Sequence, residues 1–313
     1  CAETFNMTGG TITVAAASTF SGALGLGGGT VNGAGNIAVT STMSWSGGQI
    51  GGTGTLNFGG SSTITLAGGT LGFNRNINNA GTVNWTSGNL GGFSGPGTTF
   101  TNNGTFNADP SGNNFWSGNS TDNTFVNAGT FNKGTNVTIT FSNCVFNSSG
   151  PVNINSGGLT VSNGGTMGGA LTLAAGTTLT HNSGTFSYTG TASLAGTGSW
   201  VLSGGTQTFA IAFAPAGAVS VSGGTVTLNA NQTISNLTLS AGTINGSGNI
   251  AISSALNWTG GSIAGTGTLT FGASSTITLA GGTLGLNRNI TNDGTVNWTS
   301  GNLGGFSGAG ITF

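Results

Sequence analysis

The chain has 313 residues, of which three are Lys or Arg, four Asp or Glu and one His, so charged side chains make up 2% where an ordinary soluble domain carries about 25%. A net charge of −1 offers no basic stripe to phosphates or anionic lipid, which excludes nucleic acid as a partner and argues against charged membrane surfaces. With 64 Gly and only four Pro, no Gly-every-third-residue period to make collagen and no apolar run near the roughly 18 residues that cross a bilayer, what is left is a neutral, polar, glycine-rich chain with no transmembrane segment and regularly spaced Val, Ile, Leu, Phe and Trp.

In chain order, Cys1 comes first. A chain that begins at Cys resembles a bacterial lipoprotein after signal cleavage, which makes Cys1 a candidate lipidation site; an arbitrary segment boundary explains it equally well. From Gly10 onward a mark recurs: Gly, then a polar residue, then usually a hydrophobic one. Its glycines are Gly10, Gly29, Gly48, Gly69, Gly88, Gly104, Gly129, Gly150, Gly165, Gly184, Gly205, Gly224, Gly242, Gly261, Gly282 and Gly301, at a spacing mostly of 18 to 21. Alternate side chains of a strand point to opposite faces, so Ile12, Val31, Ile50 and Leu71 are expected inside and Thr11, Thr30 and Thr70 outside. Only Gln207 breaks the hydrophobic column. Between marks lie further alternating pieces such as 55–58 and 63–66, bounded by Gly, Ser and Asn, giving about three short strands per rung.

No single rung of that kind can bury its apolar side, whereas stacked rungs share one interior. The expected fold is therefore all-β: a parallel β-helix, or β-solenoid, over 1–313 as one continuous domain. Sixteen marks give about 16 rungs of roughly 19–20 residues and an extent of about 75 Å.

The marks become irregular between Gly88 and Gly165, where the intervals run 16, 25, 21 and 15. Residues 107–124 there are expected to protrude as a loop. It carries Asp109, Trp116 and Asp122, a candidate site for a partner or glycan beside the plainer reading of a surface bulge. Cys144, in FSNCVF, reads as a small buried hydrophobe. A larger repeat overlies the short one: residues 30–100 return at 243–313 with a constant offset of 213 and roughly three quarters of positions identical. The second copy stops at Phe313, the equivalent of Phe100, so the chain reads as a segment or building block of something longer.

The duplication pairs Trp45 with Trp258 and Trp85 with Trp298, all expected in the core. It also pairs Arg75 with Arg288, expected to be held by carbonyls at a turn. Catalysis has little material. Glu3, Asp109, Asp122 and Asp293 are scattered, while glycoside hydrolysis needs two carboxylates about 5 to 9.5 Å apart; the turns also lack the Asp of a Ca²⁺-binding repeat. No catalytic residue, metal or cofactor is expected. Outward Thr columns suggest an ice-binding face, yet T-x-T follows only Gly10, Gly205 and Gly224 among the marks.

The phrases GTVNWTSGNLGG, GGTITV, NNGTFNA and GGTLGF resemble the Gly-Thr-Asn-rich repeats of bacterial autotransporter passenger domains and filamentous haemagglutinin-like adhesins. The resemblance covers almost the whole chain and rests on composition and period. It implies a right-handed β-helix at the prokaryotic cell surface or in secreted material, serving adhesion, matrix or fibre, with no catalytic position carried over. The expectation is a non-enzymatic filament or adhesin rod that associates with itself, since low charge opposes little packing and unpaired strand edges template further pairing. A monomeric module for host or matrix glycans is the alternative.

Overall fold

The computed structural model describes residues 3–91, 97–112, 115–116 and 123–304. It is all-β: 38 strands, most of them short, and no helix among the described residues. The chain divides into two compact units, Cys1–Asn163 and Gly164–Phe313. Each is a stack of three-stranded coils in which strands pair in parallel with their equivalents in the next coil. The β-solenoid counts about 14 turns in all.

In the first unit one face is built from Phe5–Met7, Leu24–Leu26, Thr42–Trp45, 63–66, 82–85, Thr105–Ala108, Thr130–Lys133 and Val152–Ile154. A second face begins with Thr11–Thr13, Thr30–Asn32 and Gln49–Ile50 and ends with Phe115–Trp116, Thr138–Phe141 and Gly158–Val161. The third runs from Ser18–Phe20 through Ile77–Asn79 to Cys144–Ser148. In the second unit, Thr178–His181, Ser199–Leu202, 219–221, 237–239, 255–258, Thr276–Leu279 and Thr295–Trp298 make one face by the same rule.

The register accounts for the core. Phe5 pairs with Leu24 and Leu24 with Met43, two equal steps along the chain. Further along, Val83 pairs with Phe106 and Phe106 with Phe131, so the coils there are longer. These longer coils hold an interior of aromatic rings in which Phe100, Phe106, Trp116, Phe125, Phe131 and Phe141 are all buried. Neighbouring centroids there are 5.2 Å apart for Trp116 and Phe125 and 5.4 Å for Trp116 and Phe141, stacked at 20°. Such contacts add to area burial.

Three sequence expectations are corrected. The sixteen marks are not one column: Gly104, Gly129 and Gly150 lead into strands of the first face, whereas Gly10, Gly29, Gly48, Gly69 and Gly88 lead into the second. The interval from Gly88 to Gly104 is shorter than the step from Phe5 to Leu24 that closes one coil, and it runs instead from the second face past the third to the first. This is why the turns number about 14 and fall short of the count of marks. Second, Ile50 pairs with Phe73 and not Leu71, and in the duplicate Ile263 pairs with Leu286. The slip is of two residues, so every side chain keeps its face. Third, 107–124 is not wholly a loop, because Phe115–Trp116 forms a strand within it.

The corners explain some of the glycine. At Gly52, φ is +98°, and a Cβ would collide with the Gly33 carbonyl oxygen and lie 2.9 Å from Arg75 Nη2. Its duplicate Gly265, at φ +108°, meets Gly246 and Arg288 in the same way. A side chain there would be strained by the backbone and would displace a guanidinium.

Candidate functional surfaces

The few ionisable groups that lie inside are consumed by the fold. Arg75, 2% exposed, donates from Nη2 to Gly33 O at 2.6 Å and from Nη1 to Gly35 O at 3.3 Å. Arg288 does the same toward Gly246 and Gly248, both at 2.9 Å, and adds Nε to Ala264 O at 3.0 Å. Each guanidinium reaches back two coils, to the kind of turn carbonyl that the sequence led one to expect. Burial lowers the pKa of both. Lys133 is buried with Nζ donating to Thr135 O, to Thr135 Oγ1 at 3.0 Å and to Ser156 O at 3.3 Å. Its pKa is lowered by burial and partly held up by nearby Asp109.

His181 is fully buried, with Nε2 2.7 Å from the Tyr188 hydroxyl. Burial pushes its pKa down to about 3, so the ring is neutral at ordinary pH, and pushes that of Tyr188 well up. Cys144 is fully buried, and burial raises its pKa, which keeps the thiol protonated. No group of three or more His, Cys, Asp or Glu that could hold a metal occurs among the described residues.

Of the loop candidates, Asp109 is half-buried and accepts from the Gly134 amide at 2.6 Å, which ties one coil to the next. Trp116 is 1% exposed and inside the aromatic core, so its ring has no free face for a sugar. The run of turn residues around it hid a two-residue strand. Asp122 lies outside the described residues, as does Cys1.

What the molecule does present is ladders. Inside the first unit, Asn79 Nδ2 donates to Asn102 Oδ1 at 2.7 Å, Asn102 to Asn127 at 2.7 Å, and Asn127 to Ser148 Oγ at 2.9 Å. On the outer side of the first face, Asn107 donates to Asn84 at 2.8 Å, Asn132 to Asn107 at 3.0 Å and Asn153 to Asn132 at 3.0 Å. The second unit carries paired hydroxyl columns. Thr185, Thr206, Thr225 and Thr243 stand in one row, with Ser187, Thr208 and Thr227 beside them in the next. Register reveals these columns more fully than the marks, which also passed over the T-x-T at 63–65.

One edge is open. Trp45, Trp85 and Trp258 are buried as expected, but Trp298 is 57% exposed and Val296 39%. They belong to Thr295–Trp298, which among the described residues pairs on one side only, with Thr276–Leu279. Comparison with known proteins finds no matching family model, no matching curated protein and no matching solved structure.

Proposed function

We propose that this chain is a non-enzymatic extracellular structural protein, a segment or subunit of a surface filament, fibre or long adhesin rod built from stacked coils. The observation that carries the reading is the coil-to-coil Asn ladder, buried from Asn79 through Asn102 to Asn127 and on the outer side from Asn84 through Asn107 and Asn132 to Asn153. The internal and external Asn ladders supply hydrogen bonds along the stacking direction, as in other stacked-strand assemblies. A net charge of −1 leaves little repulsion to oppose association. The resemblance to bacterial surface repeats agrees with this reading. Sedimentation velocity over a concentration series tests it: the expected result is mass rising with concentration, and a monomer throughout contradicts it.

The paired Thr columns of the second unit favour one second reading, contact with a flat ordered surface such as ice. An ice-recrystallisation assay on the wild-type chain and on Thr208→Lys separates the two, since only surface recognition is lost in the variant.

A further inference from the structure

The middle of the second unit has a place where a strand is missing. Trp200 pairs with Val219 and Thr206 with Thr225, both at the same interval along the chain. That interval also carries Leu194 to Phe213 and Phe213 to Gln232, so residues 211–214 lie where a strand belongs between Ser193–Gly196 and 232–234. Phe213 is inside: it is 1% exposed, with its ring centroid 4.9 Å from that of Trp200 and 4.4 Å from that of Phe209. Its backbone is not in the ladder. Among the described residues 211–214 form no strand, Ser193–Gly196 pairs only with Ala170–Leu173, and 232–234 pair only with 250–252.

The Gln232 side chain takes the ladder's place. Where the ladder is intact, an inward residue donates to the carbonyl before its partner in the next coil, as Trp200, paired with Val219, does to Ala218 O at 2.8 Å. An outward residue donates likewise to the coil before, as Thr225, paired with Thr206, does to Gly205 O at 2.8 Å. By these rules Phe213 N would donate to Asn231 O, and Asn231 N to Ile211 O. Instead Phe213 N donates to Gln232 Oε1, and Gln232 Nε2 donates to Ile211 O at 3.2 Å and to Ala230 O at 2.6 Å. The carboxamide, buried in a column that continues with Ile250, Leu269 and Ile290, thus replaces the Asn231 peptide group. On the other side of the segment lies a cavity of about 130 Å³ lined by Leu194, Gly196, Trp200, Ala214 and Pro215, among others. We infer that residues 211–214 are a strap with two seats: clamped by Gln232, as here, or laddered between Ser193–Gly196 and 232–234, with Phe213 inward in both. The clamp holds the strap off the ladder and makes this the place where the second unit opens first, because few backbone bonds secure it. Pro215, which has no N–H, ends the strand in the second seat.

Hydrogen exchange of the full chain, read by mass spectrometry at 193–196 and 211–214, tests this. In the wild type both stretches are expected to exchange faster than Ser199–Leu202, which is paired on both sides. Gln232→Leu removes the clamp, suits the apolar column and frees Phe213 N and Ile211 O for Asn231, so exchange at both stretches is expected to slow about tenfold or more. Ala214 is exposed and its N–H makes no backbone hydrogen bond here. Ala214→Pro therefore removes a donor that only the second seat uses, and is expected to abolish the slowing when added to Gln232→Leu. Unchanged or faster exchange in folded Gln232→Leu overturns the second seat. A disulfide gives a route independent of that variant: in the chain carrying Cys1→Ser, Ala195→Cys and Ala214→Cys are outward neighbours across the second seat, about one strand spacing apart and within bonding reach. Their intramolecular disulfide is expected to form on oxidation and to slow exchange at 211–214. No disulfide, or one that leaves exchange unchanged, overturns the proposal.

Discussion

Asn102 has no exposed surface, donates to Asn127 Oδ1, Gly104 O and Thr130 O, and accepts from Asn79. Asn102→Ala removes the donor to Asn127 Oδ1 in a place water cannot reach, and an unsatisfied buried acceptor costs about 1–3 kcal/mol. We expect a clearly lower urea midpoint for Asn102→Ala and a change of roughly 1 kcal/mol or less for Asn107→Ala on the outer face, where solvent replaces the partner. His181 gives a pH signature. Its folded pKa of about 3 lies below the ordinary 6.5, so between those values the unfolded chain binds a proton that the folded one refuses. Stability therefore rises with pH across that window and is flat above it, with a limiting slope of roughly 1.4 kcal/mol per pH unit. His181→Leu is expected to flatten the His-dependent part of that slope in urea titrations at pH 4 and 6; an unchanged slope would mean that the ring is protonated in the fold.

At the scale of the element, Trp116 shows what the sequence could and could not reveal. Its strand is two residues long and bracketed by turn formers, so neither alternation nor length marked it. Its inward position follows from the register with Phe141 and Leu90, which is a property of stacking and not of the local sequence. Trp116→Ala is expected to cost about 3–5 kcal/mol, read as a fall in thermal midpoint. A variant with wild-type stability would contradict the core position. Elsewhere period-2 alternation was enough: Ile64 and Leu66, Val83 and Trp85, Ile277 and Leu279 all face inward as written in the sequence. The mark of Gly, polar and hydrophobic residue was legible as a corner but not as a particular corner, because the same chemistry opens strands on different faces, as at Gly104 and Gly88. The arginine clamps were legible in kind. That each reaches two coils back depends on the close approach at Gly52 and Gly265, which sequence alone does not show.

At the scale of the whole molecule, the buried ionisable groups serve the fold: Arg75, Arg288 and Lys133 donate to carbonyls, His181 meets the Tyr188 hydroxyl, and the Cys144 thiol lies in the core. The repeated feature of the molecule is its neutral Asn ladders, inside and on the outer side of the coils. The duplication was legible in the sequence, and the register that sets Thr295–Trp298 on Thr276–Leu279, as 82–85 lies on 63–66, required the structure. The most direct test is electron microscopy of the purified chain with diffraction along the particle axis. Continuous filaments with an axial reflection near about 4.8 Å, the spacing of paired strands, are the expected result; discrete particles of single-chain mass at every concentration would contradict it.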